Sequence, residues 1–315
     1  GYTQTGWSVN SDGSTKDYSL GGSYTTNAAI TLYPYWTANT YTITYNKGSY
    51  GTGTNTTDTK TYGVDLTLKA AIFTRTGYTQ KGWSTSTYGT SKAYDLEGTY
   101  SANAAATLYP YWELNTYEIT YESGDYGTGS VESTTKTHGT AATLSSNTFT
   151  RTGYTQTGWS INSDGSTKDY NLGGSYTTNA VITLYPYWTI NTYTITWVNY
   201  DGTVLETDNS VPYGTTPTYD GSTPARDATE QYNYTFTGWS PSVTVASADI
   251  TYTAQFSSAL NTYTITYNKG DYGTGSVAAG TKTYGVSFTL SSSKFTRTGY
   301  TQTGWSVNSD GSTKD

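Results

Sequence analysis

The sequence predicts an all-β protein assembled from small tandem domains, and three observations carry that prediction. Polar and apolar positions alternate in NTYTITY at 39–45, so Tyr41, Ile43 and Tyr45 face one way and Thr42 and Thr44 the other, the period of a strand with one covered face. The composition suits strands and turns, with 35 Tyr, 9 Trp and 34 Gly beside only 12% charged residues. The same words also return along the chain: GYTQTGWSVNSDGSTKD fills both 1–17 and 299–315, with variants at 153–169 and 77–93.

Each element of the repeating unit follows from local chemistry. NTYTITY is the first strand, NKGSYGTG at 46–53 a Gly-rich turn, and TDTKTYG a return strand ending near Gly63. DLTLKAAIFTRT is a variable connection with room for one helical turn but for no long amphipathic helix. GYTQTGW is the third strand. Strict alternation puts Tyr2 and Trp7 on opposite faces unless Gly6 marks a bulge or a close approach. NSDGSTKD is a tight connection and ITLYPYW the closing strand, in which Pro34, lacking a donor, predicts an edge position or a bulge. A small unit has few large apolar residues to bury. Trp7, Leu20, Ile30, Leu32 and Trp36 are expected in or near the core, with Trp83, Trp112, Trp159, Trp188 and Trp239 marking it in other units.

These markers divide the chain. Complete units run 39–112 and 115–188, a shorter divergent one runs 191–256 and ends in YTAQF, and 1–36 and 261–315 read as the back half and front part of further units. The connections are very short: TA at 37–38, EL at 113–114, TI at 189–190 and SSAL at 257–260. Such linkers predict a semi-rigid row of beads, a rod or filament. The pattern recurs after 298 residues, from Gly1 to Gly299, as it would in a window on a longer chain with a super-repeat; boundaries that merely cut through two units are the alternative.

The order of strand, Gly-rich turn, YG, TRTGYTQTGW, DGSTKDY loop and TLYPYW resembles the Listeria–Bacteroides repeat, or internalin B-repeat, of bacterial cell-surface proteins. Its aromatic and glycine marks fall on Gly82, Trp83, Tyr109 and Trp112, and on Gly158, Trp159, Tyr185 and Trp188. Residues 191–256 look like a shorter subtype. The resemblance implies a small β-grasp-like domain, repeated in tandem on secreted or wall-attached proteins, without catalytic residues. YPYW stands here where family members commonly close on YAQW.

Little in the sequence carries chemistry. Absence of Cys excludes disulfides and thiolate sites. The net charge of -7, without a basic block, argues against nucleic acid as a partner, and no apolar run of membrane-spanning length is present. His138, the single histidine, stands where neighbouring units have Tyr62 and Tyr284, so it reads as packing and not as a catalytic base. Asn10, Asp12, Ser14 and Asp17 place oxygens on one loop as a calcium site would. Tyr88 and Ala93 occupy the Asp12 and Asp17 positions at 77–93, however, and Asp-Gly is equally a turn signal, so no cofactor is expected. No catalytic residue is expected either. Tyr33 and Tyr35 recur as Tyr109 and Tyr111 and as Tyr185 and Tyr187, a candidate face for assembly with neighbouring copies or same-chain repeats, or for glycans and cell wall. The sequence thus predicts a structural extracellular stalk or filament on a bacterial surface, with a glycan-binding array as the alternative.

Overall fold

The computed structural model describes residues 1–312 and 314; Thr313 and Asp315, which close the last GYTQTGWSVNSDGSTKD copy and the 261–315 partial repeat, lie outside the described residues. No helix occurs among the described residues. Two compact units are present, one comprising 1–149 with 156–187, the other 150–155 with 188–315.

The first unit begins with β1 (Tyr2–Ser8), β2 (Tyr18–Ser19) and β3 (Tyr33–Ala38), an antiparallel sheet in the order β2-β1-β3. The strands β4 (Thr40–Tyr45), β5 (Thr56–Thr61), β6 (Leu66–Thr67), β7 (Tyr78–Ser84), β8 (Thr99–Tyr100) and β9 (Ala106–Leu114) then build one complete repeat. Its main sheet has the order β5-β4-β9-β7, and β6 pairs separately with β8. The central strands β4 and β9 are parallel, with Ile43, Thr44 and Tyr45 opposite Ala106, Thr107 and Leu108; both outer pairs are antiparallel. The next repeat follows the same plan with β10 (Thr116–Tyr121), β11 (Thr134–Thr137), β12 (Ala142–Thr143), β13 (Tyr154–Ser160), β14 (Ser175–Tyr176) and β15 (Ile182–Ile190), in the order β11-β10-β15-β13.

The second unit contains β16 (Thr192–Val198), β17 (Val204–Pro212), β18 (Tyr232–Ser240) and β19 (Ile250–Leu260), again ordered second, first, fourth, third around a parallel pair. A hairpin of β20 (Thr262–Ile265) and β21 (Gly280–Thr283) follows. The divergent 191–256 segment therefore has the strand order of the longer repeats.

A parallel pair needs a long return path, and here that path is irregular. It is held by aromatic side chains. The Tyr45 and Trp83 rings pack at 4.7 Å, the Lys69 amide donates to the Tyr45 hydroxyl (3.3 Å), and the Trp83 indole N–H donates to the Lys69 carbonyl (2.9 Å). Tyr121, Trp159 and Ser145 repeat this arrangement, as do Tyr267, Trp305 and Ser291. Burial pushes the Tyr45 phenol up to about 12, so it stays protonated at any ordinary pH. The Gln of the third strand contributes as well: Gln80 Oε1 accepts the Phe73 amide, and Gln156 Oε1 the Phe149 amide. Ile43, Leu108 and Trp83, like Ile119, Leu184 and Trp159, are fully buried.

Lys60 and Lys136 are buried too, each with 1% of its surface exposed. Lys60 Nζ donates to the Thr61 carbonyl and to Asn103 Oδ1, at 2.9 and 3.0 Å. Lys136 Nζ donates to the carbonyls of Thr137 and Thr140 and to Asn179 Oδ1, at 3.0, 2.8 and 2.9 Å. The same Asn oxygens accept the amides of Gly63 and Gly139, which take positive φ values of 72° and 75° in the turn after the return strand. Burying an amino group is tolerable only with such acceptors around it.

Several expectations need correction. The short linkers are not free chain: Ala38, Leu114 and Leu260 pair with Tyr2, Tyr78 and Tyr232, so TA, EL and SSAL belong to closing strands, and TI lies within β15. The edge position expected for Pro34 holds, since β3 is the outer strand of its sheet; its counterpart Pro110 lies in an inner strand and is tolerated there because pairing with β4 stops at Leu108. Gly6 and Gly82 follow bulged positions, which re-aims the Trp toward the core. Trp36 is 52% exposed, and Leu20 and Ile30 are exposed as well, because β3 has β1 beside it but no parallel strand. Trp7 and Leu32 are half-buried there, while Trp112, Trp188 and Trp239 are half-buried in complete repeats. The connection expected to have room for a helical turn has none.

Substituting Asn179→Ala removes the shared acceptor of Lys136 and Gly139. Loss of these bonds, one of them to the buried Lys136 ammonium, should destabilise that turn by about 1 kcal/mol, read as faster hydrogen exchange at the Gly139 amide. Lys136→Met, with no charge left to satisfy, should be milder than Lys136→Ala in thermal unfolding.

Candidate functional site

With no catalytic cleft expected, the features that recur are the places to look, and the joint between successive strands recurs most closely. A single Asn separates each closing strand from the next first strand. The Asn115 amide donates to the Gly77 carbonyl and its carbonyl accepts the His138 amide, both at 2.9 Å; Thr79 Oγ1 donates to Asn115 Oδ1 at 2.7 Å. Asn39 makes the same bonds with Gly1, Tyr62 and Thr3. Within the second unit, Asn191 joins Gly153, Tyr213 and Thr155 likewise.

An aromatic ring lies on the glycine at each of these joints. A Cβ at Gly1, Gly77 or Gly153 would collide with the ring of Tyr62, His138 or Tyr213. His138 thus fills an aromatic slot, with Nδ1 2.9 Å from the Tyr117 hydroxyl. Asn261 departs from the pattern: its amide meets Gln231 in place of glycine, and its side-chain nitrogen donates to Thr229 and Glu230.

The candidate tyrosine face is more covered than the alternation suggests. Tyr33, Tyr35, Tyr109, Tyr111, Tyr185 and Tyr187 are all half-buried. In the complete repeats, Tyr109 and Tyr111 alternate with buried Leu108 and Pro110, and so face away from the core. The Gly-rich turn after β4 lies against Tyr109, as the 3.6 Å from a Cβ at Gly48 to its ring shows. Tyr185 borders a cleft of about 470 Å³ with Glu122, Asp125 and Ser163. A second cleft, of about 450 Å³ in the divergent repeat, is lined by Trp197, Tyr219, Phe236 and Trp239.

The acidic loop uses its oxygens internally. Asp17 Oδ2 accepts the Val9 amide at 2.7 Å and the Thr15 hydroxyl at 2.9 Å, while Asp12 Oδ1 accepts the Ser14 amide at 3.0 Å. The turn at 162–169 repeats this with Asp164 and Asp169. No group of three or more His, Cys, Asp or Glu suited to a metal occurs among the described residues. Among those residues no helix is long and apolar enough to cross a membrane.

Comparison with known proteins agrees with the repeat pattern. The sequence model of the Listeria-Bacteroides repeat domain matches residues 1–34, 41–110, 117–186 and 263–315. A protein of Evansella cellulosilytica named "Putative Gly-rich membrane protein" is 29% identical over 160 residues, covering 48% of this chain and 18% of that protein. Another from the same organism, "Putative membrane protein", is 27% identical over 297 residues, covering 90% of this chain and 42% of that protein. The matches span less than half the length of either relative.

Two outcomes follow from this geometry. Gly77→Val should push the His138 ring off its seat and strain a backbone at φ 77°, raising hydrogen exchange at the Asn115 and His138 amides by about tenfold or more while leaving Trp159 buried. In the loop, hydrogen bonds from Ser166 hold the Asp164 carboxyl below its ordinary value of 3.8, and bonds from Val9 and Thr15 lower Asp17. A depressed value means that the stabilisation is complete above pH 3.8 and lost as pH falls through the lowered value. NMR titration should therefore leave the Ser166 and Val9 amide shifts flat down to about pH 4 and move them only in more acidic solution.

Proposed function

Because the chain belongs to the Listeria-Bacteroides repeat domain family, we propose that it is a non-catalytic structural region of an extracellular bacterial surface protein, a stalk that holds other parts of that protein away from the cell. The observation that carries this reading is the joint. A spacer must transmit position from one domain to the next, and a flexible tether does not. Within the first unit, Asn39 and Asn115 each donate and accept across a boundary, an aromatic ring covers the glycine beside each, and the TA and EL residues before them belong to strands. The names of the two Evansella relatives, each containing the words "membrane protein", are consistent with a cell-surface setting.

The absence of native Cys allows a clean test. Thr59 and Thr135 are exposed on the return strands of consecutive repeats in the first unit. With Thr59→Cys and Thr135→Cys carrying a dye pair, single-molecule energy transfer should give one narrow distribution, which Gly77→Val broadens. A broad distribution before that substitution would mean a tether and would sink the stalk reading.

A further inference from the structure

Only four arginines occur in the chain, Arg75, Arg151, Arg226 and Arg297, and all four lie against tyrosine rings. The Arg75 guanidinium carbon is 3.6 Å from the Tyr78 ring centre and 4.5 Å from that of Tyr50. Arg297 has Tyr300 at 3.9 Å and Tyr272 at 4.5 Å. Arg151 lies 3.7 Å from Tyr154. The divergent repeat reaches the same arrangement with different spacing: Arg226 precedes Tyr234 by eight residues, not three, yet lies 3.8 Å from it and 4.5 Å from Tyr200. In each of these two-ring pairs one ring comes from the start of the third strand or its flank and the other from the turn after the first.

We infer that these arginine–tyrosine stacks are a repeated binding site for carboxylated sugars, the uronic acids of an acidic polysaccharide. The guanidinium edge would take the sugar carboxylate through paired N–H donors, and the exposed ring beside it would take an apolar sugar face. Three features of the sites point to this ligand. First, Arg75, Arg226 and Arg297 form no ion pair and donate no hydrogen bond among the described residues, so their donors are available while the rings fix the plane of the fork. Second, the turn tyrosines are displayed and not buried: Tyr50 is 53% exposed and Tyr272 is 71% exposed. Third, the sites are built before any ligand arrives. Thr52 and Thr74 exchange backbone bonds at 2.8 and 3.2 Å and share a hydroxyl contact at 2.6 Å, locking the two loops that carry Tyr50 and Arg75; Thr274 and Thr296 lock the last pair in the same way.

A polymer is favoured over a single acid because one shallow cation–aromatic contact is weak, while Arg75, Arg226 and Arg297 on one chain can act together on a ligand that also repeats. A sugar polymer is favoured over an acidic peptide because each site offers an exposed ring beside a single cation. The net charge of -7 repels polyanions in general, so whatever binds must do so through these local contacts.

Affinity electrophoresis of the 315-residue chain tests this. Gels containing polygalacturonate should retard it, and gels containing neutral dextran or polyglutamate should not. Replacing all four arginines by lysine keeps the charge but loses the planar fork, and should weaken binding about tenfold or more. Near-UV circular dichroism monitors folding of that variant. Should it unfold, Tyr50→Leu with Tyr272→Leu, made on exposed rings, should weaken binding on its own. Absence of retardation, equal retardation by polyglutamate, or affinity unchanged in a folded arginine-to-lysine chain would each overturn the assignment. None of these outcomes depends on whether the joints are stiff.

Discussion

The clamp between a first-strand tyrosine and the third-strand tryptophan is the interaction on which each long repeat depends. A parallel central pair obliges the chain to travel from one end of the sheet to the other, and a helix would normally satisfy the backbone groups of that path. These repeats have none. The tyrosine hydroxyl and the indole N–H instead take both backbone groups of one crossover residue, Lys69, Ser145 or Ser291, while their rings stack below it. Phenylalanine could fill the space but could not accept the amide. The imbalance of 35 Tyr against 6 Phe thus has a local reason at these positions. In the divergent repeat Trp197 replaces the first-strand tyrosine, and its indole N–H turns to Asp208, so another hydrogen bond holds the buried ring.

The core and the joint are connected through the buried lysine. Lys60 holds the Thr61 carbonyl and Asn103, Asn103 holds the Gly63 amide, and the residue between, Tyr62, covers Gly1. Lys136, Gly139 and His138 stand in the same relation to Gly77. A side chain sealed inside one sheet therefore positions the ring that meets the neighbouring one. This gives the TKTYG segment two duties at once: its lysine faces inward to fix the turn, and its aromatic faces outward to fix the joint. The histidine at 138 keeps the second duty, since its flat ring covers Gly77 as Tyr62 covers Gly1, and its Nδ1 adds a contact to the Tyr117 hydroxyl.

Much of this fold is legible in the sequence, because local patterns determine it. Period-two alternation gives the strands, glycine clusters give the turns, and Gly6 beside Trp7 announces the bulge that the register shows. What is not legible depends on distant pairing. TA and EL read as linkers only because their strand partners, near Tyr2 and Tyr78, lie a full domain arm away in sequence. Pro34 signals its edge strand, but nothing local reveals that its counterpart Pro110 sits in an inner strand that outruns β4. The burial of Lys60 has no local signal, because its acceptors are the Thr61 carbonyl and an asparagine 43 residues on. Alternation with Leu108 turns Tyr109 away from the core but cannot foresee the turn that lies against it, and the arginine stacks need contacts between two loops.

Edge chemistry bears on whether such repeats join side by side or only in line. An exposed strand edge invites another strand, and each complete sheet has two edges to manage. On the third-strand side, the Trp83 backbone already exchanges bonds with Tyr94, and Gly82 lies against the Tyr94 carbonyl and the Lys92 side chain, so a passing strand finds that edge occupied. Trp159 and Tyr170 close the corresponding edge in the next repeat. On the other side, β5 is six residues long and carries Asp58, whose carboxylate is engaged by Lys69 at 2.8 Å. A short edge bearing charge is a poor template for lateral addition. Along the chain there is no such obstacle, because each closing strand passes through one hydrogen-bonded asparagine directly into the next strand, a difference between edges and joints that is consistent with the stalk proposed above.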